Sequence, residues 1–159
     1  MTNMKKKILT LCIVHQHPKV LLGMKKRGHG EGKWNGFGGK VEKGEMIEEA
    51  ARREMKEESG VEIKEMDKLG IVEFVYQDGS GNMEVHIFRA KEFKGSPVES
   101  EEMKPKWFNV NELPFDQMWP DDKYWFPLFL KGKIFEGKFL FNEANEIVDY
   151  FLLEIKEKI

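Results

Sequence analysis

This chain of 159 residues has one cysteine, no long apolar run and almost no excess of either charge. Cys12 has no partner for an internal disulfide, so we expect it to pack as a small apolar residue in a reducing compartment. No apolar stretch is long enough to span a bilayer, and MTNMKKK is not followed by a signal-peptide pattern. A net charge of −2 gives no general basis for binding a nucleic-acid polymer or a membrane. We expect a cytoplasmic protein, with nucleus and mitochondrion left open.

Two common kinds of catalytic site are also missing from the sequence. His15, His17 and His86 lack the spacing of a zinc site, and no Ser-His-Asp arrangement is recognisable. The sequence has no internal repeat and no low-complexity linker. Its length, with 40% apolar and 34% charged residues, suits one globular domain over residues 1–159. The modest apolar content favours a monomer.

Hydrophobic patterning predicts a mixed α+β fold, in which two main helices pack outside a sheet. Residues 78–82, Asp-Gly-Ser-Gly-Asn, are a strong hairpin signal between two alternating runs. The runs predicted as strands are 8–14, 20–24, 34–41 (a short strand and turn), 70–77, 83–90, 104–110, 138–141 and 147–155. The predicted helices cover residues 46–59 and 121–130.

Residues 39–61, GKVEKGEMIEEAARREMKEESGV, carry the most information. Good helix formers without proline predict a helix from residue 46 to 59, and Gly60 is a natural helix stop. Glu45 is expected where the helix begins, so that its carboxylate meets the positive end of the helix dipole. A helical period places four apolar side chains in one stripe for packing, namely Ile47, Ala50, Ala51 and Met55.

Three glutamates stand at helical spacing on one side of this predicted helix. Glu54, Glu57 and Glu58 follow the pattern i, i+3 and i+4, so their carboxylates cluster and repel one another. A hard cation such as Mg²⁺ or Mn²⁺ would remove that repulsion. The alternative is a solvated Glu/Lys face, which would more often intersperse lysines on the same side.

The same stretch fits the pattern G-x(5)-E-x(7)-R-E-U-x-E-E-x-G-U, where U is aliphatic or Met. All fixed positions match, namely Gly39, Glu45, Arg53, Glu54, Met55, Glu57, Glu58, Gly60 and Val61. The pattern resembles the Nudix box. That resemblance implies the Nudix fold, a mixed β-sheet sandwiched between α-helices. It also implies metal-dependent hydrolysis of nucleoside diphosphates linked to another moiety.

Outside the box, the chain resembles the animal oxidised purine nucleoside triphosphatases, one branch of that family. The similar segments are LLGMKKRGHGEGKWNGFGGKVEKGE, PVESEEMKPKWF and MWPDDKYWFPL. The resemblance implies hydrolysis of 8-oxo-dGTP, 2-oxo-dATP and related nucleotides to the monophosphate and pyrophosphate, which would sanitise the nucleotide pool. Two alternatives are another Nudix substrate, such as a dinucleoside polyphosphate, nucleotide sugar or capped RNA, and a domain that binds without catalysis.

The resemblance also implies roles at the catalytic end. It assigns Mg²⁺, with Mn²⁺ as an alternative, to the Gly38 carbonyl and four carboxylates, namely Glu54, Glu57, Glu58 and Glu102. Any of the four is a candidate general base. From the sequence alone, Glu102 also reads as an exposed loop carboxylate. Arg53 is expected to pair with Glu45 and brace the turn, so that its loss would damage activity through structure.

The remaining roles implied by the resemblance concern the substrate. Lys25 is expected near the phosphates, although an ordinary surface lysine fits the sequence nearly as well. Four residues match positions that contact the purine, namely Asn35, Trp119, Asp121 and Asp122. Thr10, Leu11, Phe74 and Met83 are expected to line the cavity, with plain core packing as the competing interpretation.

Two positions permit finer expectations about the base. Asp121 and Asp122 are adjacent carboxyl groups, and burial beside aromatic residues would raise one pKa, so that the pair shares one proton. Such a pair offers a donor and an acceptor to different oxidised purines, whereas the simpler alternative is two acids at a helix start. His29 stands where the family commonly has phenylalanine. A histidine at this position predicts a ring that still covers the base, but more weakly than phenylalanine and with an edge that can titrate.

Overall fold

The computed structural model describes residues 6–156. The strands are β1 Lys7–Gln16, β2 Lys19–Lys25, β3 Trp34–Asn35, β4 Glu62–Tyr76, β5 Asn82–Lys94, β6 Met103–Asn109, β7 Ile134–Phe141 and β8 Ile147–Ile155. The helices are α1 Ile47–Ser59 and α2 Asp122–Leu130, with a short 3₁₀ turn at Phe115–Gln117. Within the described residues, neither helix has the length and apolar character that crossing a membrane requires.

The strands join one mixed sheet. Its order is β3-β2-β1-β5-β4-β7-β8, and β6 pairs with β2. β1 runs parallel to β5 and β4 runs parallel to β7, whereas the remaining pairs are antiparallel. The predicted α+β class is confirmed. The parallel pairs bring the middle of β1 beside β5 and the end of β4 beside β7, although these segments are far apart in sequence.

Side-chain alternation along β1 divides the core between the two faces of the sheet. Ile13 packs into the cluster that contains Trp125 and Phe129 of α2. Its neighbours Cys12 and Val14 pack into the cluster that contains the apolar residues of α1. Because successive side chains of a strand point to opposite faces, the two helices cover opposite faces of the sheet. This is the predicted sandwich, and Cys12 is buried in it as expected.

Helix α1 follows the prediction in its packing and its end. Ala50, Ala51 and Met55 are fully buried, and Gly60 ends the helix at φ 78°, a left-handed conformation suited to glycine. The beginning differs, because α1 begins at Ile47 and Glu45 lies before the cap. The Glu45 carboxylate is bound by the Arg53 side chain, so a salt bridge rather than the helix dipole holds it.

Three predicted strands were several residues too short. β7 begins at Ile134 instead of residue 138, β5 ends at Lys94 instead of residue 90, and the largest difference is in β4. β4 begins at Glu62, before the predicted residue 70, and its added half is polar and broken by irregularities in register with β5. Polar residues and bulges hide the period-2 signal there. The predicted short strand and turn at 34–41 is present, with the strand at Trp34–Asn35 followed by isolated bridges at Phe37 and Lys40.

Candidate active site

The segment before α1 crosses β1 at very close range. A Cβ at Gly38 would overlap the Thr10 carbonyl, and one at Gly39 would lie 2.7 Å from the Glu54 carboxyl carbon. Only glycine permits both approaches. The Gly38 N–H donates to Glu58 Oε1 at 2.9 Å, so the same close passage ties the loop to α1.

Arg53 connects this loop with the carboxylates of α1. Its Nε and Nη2 donate to the two carboxylate oxygens of Glu45 at 2.7 and 3.0 Å, and Nη1 donates to Glu54 at 2.8 Å. The hydrogen bonds from Arg53 are the main reason that the pKa of Glu45 is lowered to about 2. The predicted pairing of Arg53 with Glu45 is therefore present, and the guanidinium also orients Glu54.

Glu58 is the most buried of the predicted metal-binding carboxylates. Glu58 is only 6% exposed, and this burial is the main reason that the pKa of its carboxyl group is raised to about 7. The negative charges of Glu54 and Glu102 raise that pKa further, whereas the Gly38 N–H and Lys25 lower it. Carboxylate oxygens that repel one another in this way fit a hard divalent cation.

The other two predicted ligands lie at the edge of this group. Glu57 is exposed and lies 3.3 Å from Arg53 Nη1. Glu102 is paired with Arg27 at 2.6 Å and Lys25 at 3.3 Å, and these hydrogen bonds lower its pKa. Among residues 6–156, no three His, Cys, Asp or Glu side chains already enclose a point suited to a metal ion.

A cavity of about 170 Å³ lies between β1, β4, β5 and the start of α2. All the predicted substrate residues except Lys25 line it, namely Thr10, Leu11, His29, Asn35, Phe74, Met83, Trp119, Asp121 and Asp122. Its wall is mostly apolar, with few polar groups, as is usual for sites that bind a small molecule. The residues predicted from scattered positions thus meet around one space.

A second, smaller cavity links this space with the carboxylates of α1. It is lined by Lys25 and Glu58, and it shares His29, Asn35 and Trp119 with the first cavity. The two cavities therefore meet at these three side chains. A ligand with a base in the first cavity would extend its polar part past Lys25 toward Glu58.

Asp121 and Asp122 are buried in the wall of the larger cavity, at 3% and 2% exposure. Trp125 Nε1 donates to Asp121 Oδ2 at 2.8 Å, whereas Asp122 Oδ2 has no hydrogen-bond partner among residues 6–156. Burial and the neighbouring Asp121 carboxylate raise the pKa of Asp122 well above its ordinary value. Asp121 occupies the N-cap position of α2 without a side-chain capping bond, so helix capping does not explain it.

Three further polar or aromatic groups border the cavity. The His29 ring packs against Trp119, with centroids 4.9 Å apart and planes tilted by 35°. The Asn35 amide oxygen accepts the Gly36 N–H at 2.8 Å, which fixes the plane of that amide. The Thr10 hydroxyl is directed to the Gly39 carbonyl at 3.5 Å and thereby joins the cavity wall to the loop.

Six lining residues were absent from the sequence prediction, namely Leu9, Tyr76, Val85, Ile87, Trp125 and Phe141. Strand alternation would have found four of them. Leu9 is two positions from Leu11, Tyr76 is two from Phe74, and Val85 and Ile87 continue the series from Met83. Trp125 is four positions after Asp121 in the predicted helix, so helical periodicity would have found it. Phe141 has no such signal, because β7 reaches the cavity only through the tertiary fold.

Comparison with known proteins gives concordant results. The NUDIX domain model matches residues 5–129. The oxidized purine nucleoside triphosphate hydrolase of Danio rerio is 52% identical over 151 residues, covering 95% of this chain and 97% of the relative. The protein of that name from Mus musculus is 50% identical over 149 residues, with 94% and 96% covered.

A solved structure supports the same assignment. A MutT protein from Bacillus halodurans has a TM-score of 0.83 and 32% identity, covering 92% of this chain and 97% of that one. The domain match includes β1, the glycine loop, α1 and nearly all of α2. With the matched box on α1 and a mixed sheet between two helices, this chain belongs to the Nudix family.

Proposed function

We propose that this protein hydrolyses oxidised purine nucleoside triphosphates to the nucleoside monophosphate and pyrophosphate, and so removes mutagenic nucleotides from the pool. The observation that carries the proposal is the junction of the two cavities. An aromatic cavity with a buried carboxyl pair joins a smaller cavity that is lined by Lys25 and by Glu58 of α1. The names of the relatives from Danio rerio and Mus musculus support the same substrate class.

The base is recognised in the larger cavity. Trp119 offers a ring face for stacking, which contributes roughly 1–3 kcal/mol per base in nucleic-acid sites. Asp122 keeps its proton and donates to the purine edge, while Asp121 accepts, with its position fixed by Trp125. Asn35 contributes a further polar contact. A shared proton lets the aspartate pair serve oxidised guanine and oxidised adenine in turn.

The triphosphate extends along the smaller cavity, where Lys25 binds its phosphate oxygens. Hydrolysis forms a bond from water oxygen to phosphorus and breaks the anhydride bond between the α- and β-phosphates, so that pyrophosphate leaves. The proton of the water passes to one of four carboxylates, namely Glu54, Glu57, Glu58 and Glu102. Arg53 orients Glu54 and keeps Glu45 in the turn.

Members of this family generally require a divalent metal. We assign Mg²⁺, with Mn²⁺ as an alternative, to the same four carboxylates and the Gly38 carbonyl, because hard oxygen ligands suit these ions. When bound, the ion supplies positive charge that favours a nucleophilic water and neutralises the phosphates. Arg27 and Lys25 pair with Glu102, which would help to hold the ion together with the carboxylates of α1.

The chain works as a single domain and a monomer in the cytoplasm under this proposal. Its net charge of −2 fits a small nucleotide substrate better than a nucleic-acid polymer or a membrane.

Pyrophosphate release with Mg²⁺ tests the proposal, using 8-oxo-dGTP, 2-oxo-dATP and dGTP with Glu58→Ala as the inactive control. We expect the oxidised nucleotides to be cleaved with a much higher kcat/KM than dGTP. Equal cleavage of dGTP would refute the assignment of the cavity to oxidised bases. In that case dinucleoside polyphosphates, nucleotide sugars and capped RNA are the next substrates to compare, and an inactive wild type would favour binding without catalysis.

A further inference from the structure

One wall of the larger cavity is held by a hydrogen bond to a turn of the sheet. Tyr76 lines the cavity, and its hydroxyl donates to the amide oxygen of Asn145 at 3.0 Å. Asn145 lies in the turn between β7 and β8, whereas Tyr76 ends β4. The bond joins residues that are 69 positions apart and ties the turn to the cavity wall.

Local backbone geometry constrains the residues on both sides of this hydrogen bond. Asn145 has φ 60°, a left-handed conformation that asparagine tolerates better than most residues, and its N–H donates to the Asn142 carbonyl at 3.1 Å. On the other side, a Cβ at Gly81 would lie 3.0 Å from the Tyr76 ring, so glycine lets the β4–β5 turn close over that ring.

Tyr76 also determines where a second aromatic wall residue lies. Its ring packs on Phe141 with centroids 5.7 Å apart and planes tilted by 30°. Phe141 is 2% exposed and lines the same cavity. Restraining the Tyr76 hydroxyl therefore restrains two rings against which a planar base would lie.

We propose that Tyr76 is a positioning residue for the purine base and that Asn145 is its anchor. This inference rests on the proposed function, because it takes the larger cavity to be the base site. A wall held at a fixed distance spares the ligand the cost of ordering it, and such preorganisation increases affinity. Tyr76 lines the larger cavity and not the smaller one that contains Glu58, so we expect the bond to contribute to binding and not to the chemical step.

Two single variants and their combination test the inference. Tyr76→Phe keeps the ring and removes the donor. Asn145→Gly removes the acceptor and keeps a residue that accepts a positive φ. The matched control is Tyr150→Phe, because Tyr150 is a half-exposed tyrosine of β8 that does not line the cavity. For each protein, kcat and KM for 8-oxo-dGTP and dGTP are measured together with the thermal unfolding midpoint.

We expect each single variant to raise KM for 8-oxo-dGTP about three- to tenfold, as the loss of one hydrogen bond permits, with kcat within about twofold of wild type. The double variant should be no worse than either single variant, because both remove the same bond. The control should match wild type. Unchanged KM in both single variants, or a lower melting temperature with unchanged KM, would overturn the inference and leave a purely structural bond.

The experiment separates this inference from the proposed function. If wild type does not favour 8-oxo-dGTP over dGTP, the proposed function fails whatever the variants do. The dissociation constant of 8-oxo-dGMP, followed by quenching of tryptophan fluorescence, then decides the inference. A shared three- to tenfold weakening in the two single variants supports the anchor, and equal affinity in wild type and variants refutes it.

Discussion

Carboxyl groups stand at both ends of the candidate site, in opposite surroundings. Near α1, Arg53 binds Glu45 and Glu54, so negative charge is retained beside cations. In the larger cavity, Asp121 and Asp122 are buried among aromatic residues, and the resolved partner of Asp121 is the neutral indole of Trp125. The same functional group is therefore suited to cation binding at one end and to hydrogen bonding with a base at the other.

Glu58 lies between these extremes, because it is buried like the aspartates yet belongs to the box. Its pKa is raised to about 7 by burial and by the nearby Glu54 and Glu102. Burial by itself therefore does not distinguish the carboxyl groups near α1 from those in the larger cavity. Both groups have a carboxylate neighbour, but Lys25 lies near Glu58, whereas aromatic rings line the cavity around Asp122.

Removing charge at the catalytic end should have the largest effect. Glu58→Gln keeps the size of the side chain and removes the negative charge, and we expect kcat to fall about a thousandfold, since metal-assisted charge stabilisation contributes several kcal/mol. Glu48→Gln, an exposed glutamate of the same helix, is the matched control. Steady-state pyrophosphate release checks this prediction, and a Glu58→Gln protein as active as the control would contradict it.

Removing a carboxyl group at the base end should change selectivity more than chemistry. For Asp122→Asn we expect kcat/KM for oxidised purines to fall about 10- to 100-fold, with a changed preference between 8-oxo-dGTP and 2-oxo-dATP, because a fixed amide replaces a shared proton. Asp121→Asn should shift the preference and its pH dependence as well. Rates for both substrates across pH check this, and unchanged preference in both variants would refute the shared proton.

The Asp122→Asn variant is also expected to be more stable than wild type, although its activity falls. Its pKa is raised well above 3.8 in the folded protein, so the folded state binds the proton more tightly than the unfolded state. The free energy of unfolding therefore falls as pH rises from about 3.8 toward the folded pKa. Asp122→Asn removes this pH-dependent fall in the free energy of unfolding. The melting temperature of the variant at pH 7 should therefore exceed that of wild type. A lower value would contradict the raised pKa.

Replacing the guanidinium group of Arg53 with an ammonium group should have an intermediate effect on activity. Arg53→Lys loses the paired contact with Glu45 and the contact with Glu54, so we expect activity to fall about tenfold, as for other residues that orient ligands. Because the pKa of Glu45 is lowered to about 2, wild type loses this stabilisation as pH falls from about 4.5 toward 2.

The Arg53→Lys variant should therefore show a smaller drop in melting temperature over that acid range. Arg52→Lys is the control, since Arg52 is the adjacent arginine of the same helix and donates to the carbonyl of Ile63 instead. Equal activity and equal acid sensitivity in the two variants would show that the pairing with Glu45 has no special role.

The smallest change is expected at the open side of the base cavity. His29 is exposed and packs on Trp119, and His29→Phe should lower KM about two- to fivefold by replacing a polar ring with an apolar one. KM for 8-oxo-dGTP, measured for the variant and for wild type, tests this. Identical KM values for the variant and wild type would contradict the hypothesis that the His29 ring covers the base.

The sequence determined the local parts of this protein. The spacing of Glu54 and Glu58, the stop at Gly60 and the apolar stripe of α1 follow from helical periodicity, and most strands follow from alternation. The resemblance to the family supplied residues of the cavity that no local pattern would have chosen, such as Asn35. The first half of β4 escaped prediction because its bulges interrupt the alternation.

The tertiary structure decided which of these parts meet. Parallel pairing of β4 with β7 brings Tyr76 beside Phe141, and the passage of Gly38 and Gly39 over β1 brings the box against the cavity wall. Likewise, the sequence placed two aspartates side by side, but only their burial in the folded chain raises the pKa of Asp122. Long-range pairing and desolvation depend on residues far away in the chain, and no local pattern encodes them.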